Sequence, residues 1–442
     1  MFKILSNKRF SALLYFLRWT AIILPIAVAI GSMVALFLWL LTVAIHYRFS
    51  HPWLLYLLPL VGVVIHFSYK LYGQSAERGN NLILDEIHDP GAGVPKRMAP
   101  LILVTTVITH LFGGSAGREG TAVQIGGSLA NWIGSQLKLD AADMRIVLTA
   151  GVAAGFGAVF GTPLAGTIFA LEVLVIGRIQ YTAILPCLIA AVIGDATVAA
   201  WGVQHTQYQI RYITTEQTIF GHHLAVNFWL LLKVMVASAF FGLTAYVFAK
   251  AVHSIKTITN SLVTKSWMIP VGGGTIIILL TLMIGKPDYL SLGVDAEYPG
   301  AVTIVSAFEQ GGAHFFSWLW KLIFTAITLG TGFKGGEVTP LFYIGATLGN
   351  TLANIMDAPV SLFAALGFIA VFAGATNTPL ACTIMGIELF GSQHALFFAI
   401  ACFTAYYFSG KTGIYSAQKL TEPKYSVNDK SDYLSKLFRR TS

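Results

Sequence analysis

Two glycine-rich stretches set ionisable side chains in otherwise apolar sequence: 113-GGSAGREGTAVQIGG-127 and 332-GFKGGEVTP-340. In the first, Arg118 and Glu119 fall at the expected opening turn of a helix that begins near residue 119. The amide end of a helix favours a charged carboxylate, whereas burial favours the neutral acid. A carboxylate held between those tendencies acts as a tethered anion, occupying an anion site when ionised and leaving it when protonated. Its plainer reading is a helix cap paired with Arg118. Gly117 and Gly120 on either side keep the backbone around it open.

In the second stretch, Lys334, Glu337 and Thr339 offer a cation, a carboxylate and a hydroxyl within six residues, with Val338 between the last two. Pro340 suits a helix start, where its missing N–H is no loss. A second glutamate would repel an anion. It makes sense if protons travel with the anion, or if Lys334 neutralises it in a simple Lys334–Glu337 pair. In a third stretch, 79-GNNLILDEIH-88, Asn80 or Asn81 is placed to offer an amide N–H to an anion or to act as an ordinary N-cap. Tyr415, in 410-GKTGIYSAQ-418, closes the last apolar region, where a tyrosine fits an interface belt as readily as a ligand site.

Elements able to hold these residues must be membrane helices. The chain of 442 residues is 55% hydrophobic and only 11% charged, against roughly 25% charged in soluble domains. Runs such as 19–45, 52–69 and 226–249 exceed the roughly 20 apolar residues that a spanning helix needs. Others are shorter and cut by Gly or Pro, which predicts ten or more membrane segments, several of them not full-length. The fold class read here is an all-α polytopic membrane protein. The N-terminal apolar run is too long for a cleavable signal peptide. Lys3, Lys8, Arg9 and Arg18 at one end, and the basic residues from Lys411 to Arg440 at the other, predict that both termini are cytoplasmic. The net charge of +8 therefore reads as topology and contact with anionic lipid, not as nucleic-acid binding.

An internal repeat organises the chain. The segment 162-TPLAGTIFALE-172 matches 378-TPLACTIMGIE-388 at seven of eleven positions, and 125-IGGSLAN-131 resembles 344-IGATLGN-350. Both glycine-rich loops precede these matches in the same order. Two halves, about 17–203 and 224–420, are expected to divide at the polar stretch 203–223, read as an extramembrane connection. Repeated halves with interrupted helices at matching positions point to a transport site near the midplane. Converging helix N-termini would make an anion site there without a buried cation. No Ser/His/Asp arrangement, metal-spaced cluster or phosphate loop is present. His66, His110 and the pair His222–His223 are scattered, and G-R-E-G lacks the βαβ context of a dinucleotide site. No enzymatic activity, cofactor or metal is therefore expected, with a membrane-embedded sensor or enzyme as the alternative class. Cys187, Cys382 and Cys402 read as packing residues.

Over nearly its whole length the chain resembles the CLC family of chloride channels and proton-coupled anion exchangers. The family's G-R-E-G-P motif is matched by 117-GREGT-121, its G-x-F-x-P motif by 336-GEVTP-340, its G-S-G-I-P motif by 79-GNNLI-83, and its late tyrosine by Tyr415. The resemblance implies inverted halves of tilted and re-entrant helices, a homodimer with one pathway per subunit, and Glu119 as the gating, proton-coupling glutamate. It also implies an anion site formed by Gly117, Arg118, Gly120, Asn80, Val338, Thr339 and Tyr415, with Lys334 and Glu337 on the selectivity loop. Departures narrow it: Asn80 replaces the site serine, Val338 the phenylalanine and Thr121 the proline, and Val173 stands where chloride/proton exchangers carry an inward glutamate. These departures resemble the fluoride-exporting bacterial branch, and imply fluoride/proton antiport in the inner membrane. A chloride channel or chloride/proton exchanger is the alternative within transport.

Overall fold

In hydrocarbon a backbone must satisfy its own polar groups, and a helix does so within one segment. The computed structural model is accordingly a helical protein; it describes residues 2–213, 217–219, 222–224, 227–420 and 424. The basic C-terminal tail, apart from the part up to 420 and residue 424, lies outside the described residues. In the first part of the chain the helices are α1 (Phe2–Ser50), α2 (Leu58–Ser68), α3 (Asn80–His88), α4 (Met98–Leu111), α5 (Glu119–Gln136), α6 (Ala141–Phe160), α7 (Pro163–Glu172) and α8 (Ile184–Ala200). In the second they are α9 (Phe228–Leu262), α10 (Met268–Ile284), α11 (Ser317–Gly330), α12 (Val338–Met356), α13 (Val360–Thr376), α14 (Pro379–Phe390) and α15 (Ala395–Phe408).

Five stretches among the described residues are long and apolar enough to span a bilayer, within 11–50, 52–78, 141–160, 181–200 and 228–262. Five more apolar helices, α4, α7, α10, α13 and α14, are shorter. At 1.5 Å per residue, α7 covers about 15 Å, half of a ~30 Å hydrocarbon core. Such helices leave ends at membrane depth, where only surrounding protein can satisfy them.

Those ends are satisfied across the repeat. The Glu172 carboxylate, at the end of α7, accepts from Leu380 N at 3.1 Å and Ala381 N at 2.8 Å, at the start of α14. Glu388, its counterpart in α14, accepts from Leu164 N at 2.9 Å and Ala165 N at 2.7 Å, at the start of α7. In the same reciprocal way, Gly117 N–H donates to Gly336 O at 2.6 Å and Gly336 N–H to Gly117 O at 2.7 Å. When residue i binds j and the equivalent of j binds the equivalent of i, a two-fold axis relates the two sets. The sequence repeat is thus a structural inverted repeat.

Within each repeat the helices meet backbone to backbone, as small residues permit in membranes. A Cβ on Gly126 of α5 would lie 2.1 Å from Gly151 O of α6, and one on Gly345 of α12 would lie 2.0 Å from Gly367 O of α13. The three cysteines are buried and unpaired, in keeping with packing roles. The first part of the polar connection, 203–213, packs back onto the helices: Tyr208 inserts among Phe308, Phe368 and Phe390, with ring centroids 5.3–6.3 Å away. Aromatic burial outweighs the polarity of its neighbours. Beyond it, only two short antiparallel strands, Gln217–Ile219 and His222–Leu224, are described.

Candidate functional site

The paired loops bring the starts of α5 and α12 together. Arg118 is the N-cap of α5 and Glu119 its first residue; Glu337 is the N-cap of α12 and Val338 its first. Glycine is required for this approach. A Cβ on Gly117 would sit 3.0 Å from Gly336 O and 2.9 Å from Pro340 Cδ, and one on Gly336 would sit 2.7 Å from Gly120 N.

Glu119 is buried and reaches from its own helix to the other. Thr339 N–H donates to Glu119 Oε2 at 2.9 Å, and Thr339 Oγ1 donates to Oε1 at 2.5 Å. Arg118 N–H adds a third bond, to Oε2 at 3.1 Å, and the Arg118 Nε lies 3.5 Å from Oε1. The carboxylate thus lies where an anion would bind: at the amide end of α12, among backbone and hydroxyl donors. The capping reading and the tethered-anion reading describe the same contacts, except that the helix capped is α12 rather than Glu119's own. Thr121, standing in place of a proline, buries its hydroxyl against the Thr106 hydroxyl at 2.8 Å.

Two small cavities flank this junction. One, of about 20 Å³, is lined by Arg118, Glu119, Thr339, His205, Tyr208 and Phe342, among others. The other, of about 10 Å³, is lined by Asn80, Val123, Phe169, Val173 and Tyr415 with three aliphatic residues. The predicted site residues other than Lys334 therefore meet at one junction but divide between its two sides. Gly120 links them. A Cβ there would lie 3.1 Å from Asn80 Nδ2 and 3.9 Å from Glu337 Oε2.

Several sequence readings are corrected. Neither Asn80 nor Asn81 caps α3; the N-cap is Gly79, at φ 58°, with no side-chain cap bond. Asn81 Oδ1 instead accepts from Ala417 N at 3.0 Å, which ties down the segment after Tyr415. The Asn80 Oδ1 is buried without a hydrogen-bond partner among the described residues. Tyr415 is no belt residue: it is buried, with its ring 6.5 Å from Phe169. Lys334 forms no ion pair with Glu337 among the described residues; its ammonium stacks on Tyr69, 4.1 Å from the ring centroid, in a separate cavity. Glu172, next to Val173, is occupied as the cap of α14. His205 and Tyr208 were missed, because a polar stretch without periodicity gives no sign of folding back onto a buried site. The His205 Nε2 lies 3.8 Å from Asp195 Oδ1 beside the Glu119 cavity.

This fold and junction define a class: polytopic membrane proteins with inverted repeats, whose interrupted helices meet around a carboxylate. Residues 61–410 match the family model described as voltage gated chloride channel. A "Chloride/fluoride channel protein" of Pseudomonas syringae pv. tomato is 45% identical over 425 residues, covering 96% of this chain and 91% of that protein. The crystal structure of a CLC-type fluoride/proton antiporter superposes with a TM-score of 0.84 at 34% identity, covering 91% of this chain and 98% of that one. A slow cyanobacterial Cl−/H+ antiporter shares the fold at a TM-score of 0.77 and 19% identity, covering 90% and 96% of the two chains. The chain belongs to the voltage gated chloride channel family, CLC.

Proposed function

We propose that this protein is a secondary active anion transporter, not an enzyme, which exports fluoride in exchange for protons. The observation that carries the reading is the Glu119 carboxylate on the Thr339 amide and hydroxyl at the head of α12. Protonation would remove its charge and free those donors for an anion; deprotonation would return it. The relative named as a chloride/fluoride channel and the solved fluoride/proton antiporter support the substrate assignment.

Fluoride is small and strongly hydrated, so stripping its water demands dense, strong donors in place of the lost shell. The Thr339 hydroxyl, the helix-end amides around Gly117, Arg118 and Gly120, and the Asn80 amide are such donors, with Val338 and Tyr415 as apolar and phenolic walls. With Val173 in the place of an inward glutamate, Glu337 is the carboxyl beside Gly120 that can relay the proton. Once protonated, it could also donate to the orphaned Asn80 Oδ1. Lys334 acts on this loop from outside the junction. Hydrogen fluoride enters acid-stressed cells as a neutral weak acid and dissociates inside, so proton-driven export of the trapped anion is the corresponding task. We place the protein in the bacterial inner membrane as a homodimer among lipids, with both termini cytoplasmic and with the halves at about 17–203 and 224–420.

The test is a comparison of fluoride and chloride efflux from liposomes holding the purified protein. Fluoride leaving faster supports the reading. Chloride leaving as fast or faster would defeat it in favour of a chloride channel or chloride/proton exchanger, and no anion flux would favour a sensor.

A further inference from the structure

The loop that carries Glu337 has a second neighbour. A polar cavity of about 300 Å³ opens beside Gly332–Lys334, between the end of α2, the last turns of α9 and the start of α10. Lys70, Lys256 and Lys334 all line it, with His66, against the single carboxylate of Glu77. None of the three lysines forms an ion pair among the described residues. Lys334 is held in place by the Tyr69 ring, while Lys70 and Lys256 are exposed and free to close on a ligand. The cavity is thus net positive, and its size is that of a small-molecule site, not a monatomic-ion site.

Its rim indicates depth. Leu71 and Tyr72 follow Lys70 in sequence and are each 65% exposed; Trp267 and Met268 follow the lining residue Ser266 and are exposed too. Apolar side chains presented outward beside lysines, with a tryptophan among them, mark the headgroup level of a bilayer. Chain direction gives the side. α9 runs about 50 Å from Phe228 to Leu262, so Lys256 lies at the face opposite the connection that covers Glu119. Lys250 and Lys265 lie towards the same end. That basic face is the one that faces anionic lipid.

We infer that this cavity is a binding site for a phosphate group, with an anionic phospholipid headgroup as its occupant. Phosphate oxygens accept several charge-assisted bonds at once, which suits a cavity lined by three lysines. The lipid's acyl chains would lie along the apolar rim. Occupancy would hold Lys334, three residues before Glu337 in the same loop. The site is distinct from the ion junction, and it stands or falls independently of what the chain transports.

Native mass spectrometry of the full-length protein tests it, with phosphatidylglycerol and phosphatidylcholine offered in parallel. Phosphatidylglycerol should be retained preferentially. The double variant Lys70→Gln/Lys256→Gln should weaken that retention about thirty-fold. Lys233→Gln, at the far end of α9 where its ammonium meets the Asp357 carbonyl, should leave it unchanged. Displacement by inorganic phosphate at millimolar concentration would support the phosphate site and make the free ion its occupant, whereas resistance would support the lipid. Equal retention of the two lipids, undiminished retention in the double variant, or an equal loss in Lys233→Gln would overturn the proposal.

Discussion

Glu119 holds three hydrogen bonds that, in the proposed cycle, an anion takes over once the carboxyl is protonated. Glu119→Gln keeps the shape and an accepting oxygen but cannot exchange a proton. Proton movement coupled to fluoride flux should therefore drop by about a hundred-fold or more, the scale of losing a positioned proton-transfer group. A pH electrode and a fluoride electrode reading the same liposome suspension would show it, and wild-type coupling in the variant would remove Glu119 from the mechanism. Asn80→Ser replaces an amide donor with a smaller hydroxyl. At about 1 kcal/mol for a neutral hydrogen bond, it should raise chloride flux relative to fluoride about five-fold; an unchanged ratio would leave Asn80 as a packing residue. The meeting of Glu119, Gly117 and Thr339 was legible, because glycines flanking a carboxylate in apolar sequence leave few other purposes. The direction of Lys334 was not. Which side of a loop a side chain takes depends on backbone angles that residue types do not disclose.

At the scale of elements, the reciprocal carboxylates explain how helices can stop inside a membrane. Glu172 satisfies two amides of α14, and Glu388 two of α7, so those two helix ends are already filled with internal carboxyl groups. This leaves the meeting ends of α5 and α12 to Glu119 and its competitor. Glu172→Gln retains one accepting oxygen and loses the charge. It should cost about 1–2 kcal/mol of stability, as a lost cap does, seen as a lower thermal midpoint in detergent. The ratio of protons to fluoride should stay the same. A loss of coupling at normal stability would mean that Glu172, despite its capping role, carries protons in place of the glutamate missing at Val173. The repeat itself was plain in the matched segments, and both glutamates stood at its eleventh position. Their crossed partnership was hidden, since it exists only once a two-fold axis brings α7 against α14. Likewise, nothing in the composition of residues 203–213 tells that Tyr208 is drawn down among phenylalanines.

For the whole molecule, the decisive feature is how little open space adjoins the junction. The cavities on either side are about 20 and 10 Å³, each close to the roughly 10–15 Å³ that one water needs. Stacked rings close the surroundings: Phe342 on Phe368 at 3.8 Å and Phe156 on Phe169 at 4.2 Å. An ion passing here must displace Glu119, and a protein that moves ions only by such displacement should convert a proton gradient into an anion gradient. Liposomes with equal fluoride inside and outside, a clamped membrane potential of zero and an acidified exterior provide the test. Antiport takes protons in and drives fluoride out, towards the acid side. For one-for-one exchange, a difference of one pH unit would sustain at most about a ten-fold fluoride gradient. Unassisted hydrogen fluoride crosses in the opposite sense, entering from the acid side and accumulating fluoride within. The sign alone therefore separates the mechanisms: net export against the drift of the neutral acid requires coupling through the protein. Fluoride held level across the membrane would mean that Glu119 gates a passive conduit instead, and fluoride that collects inside as in protein-free vesicles would mean that the protein moves none.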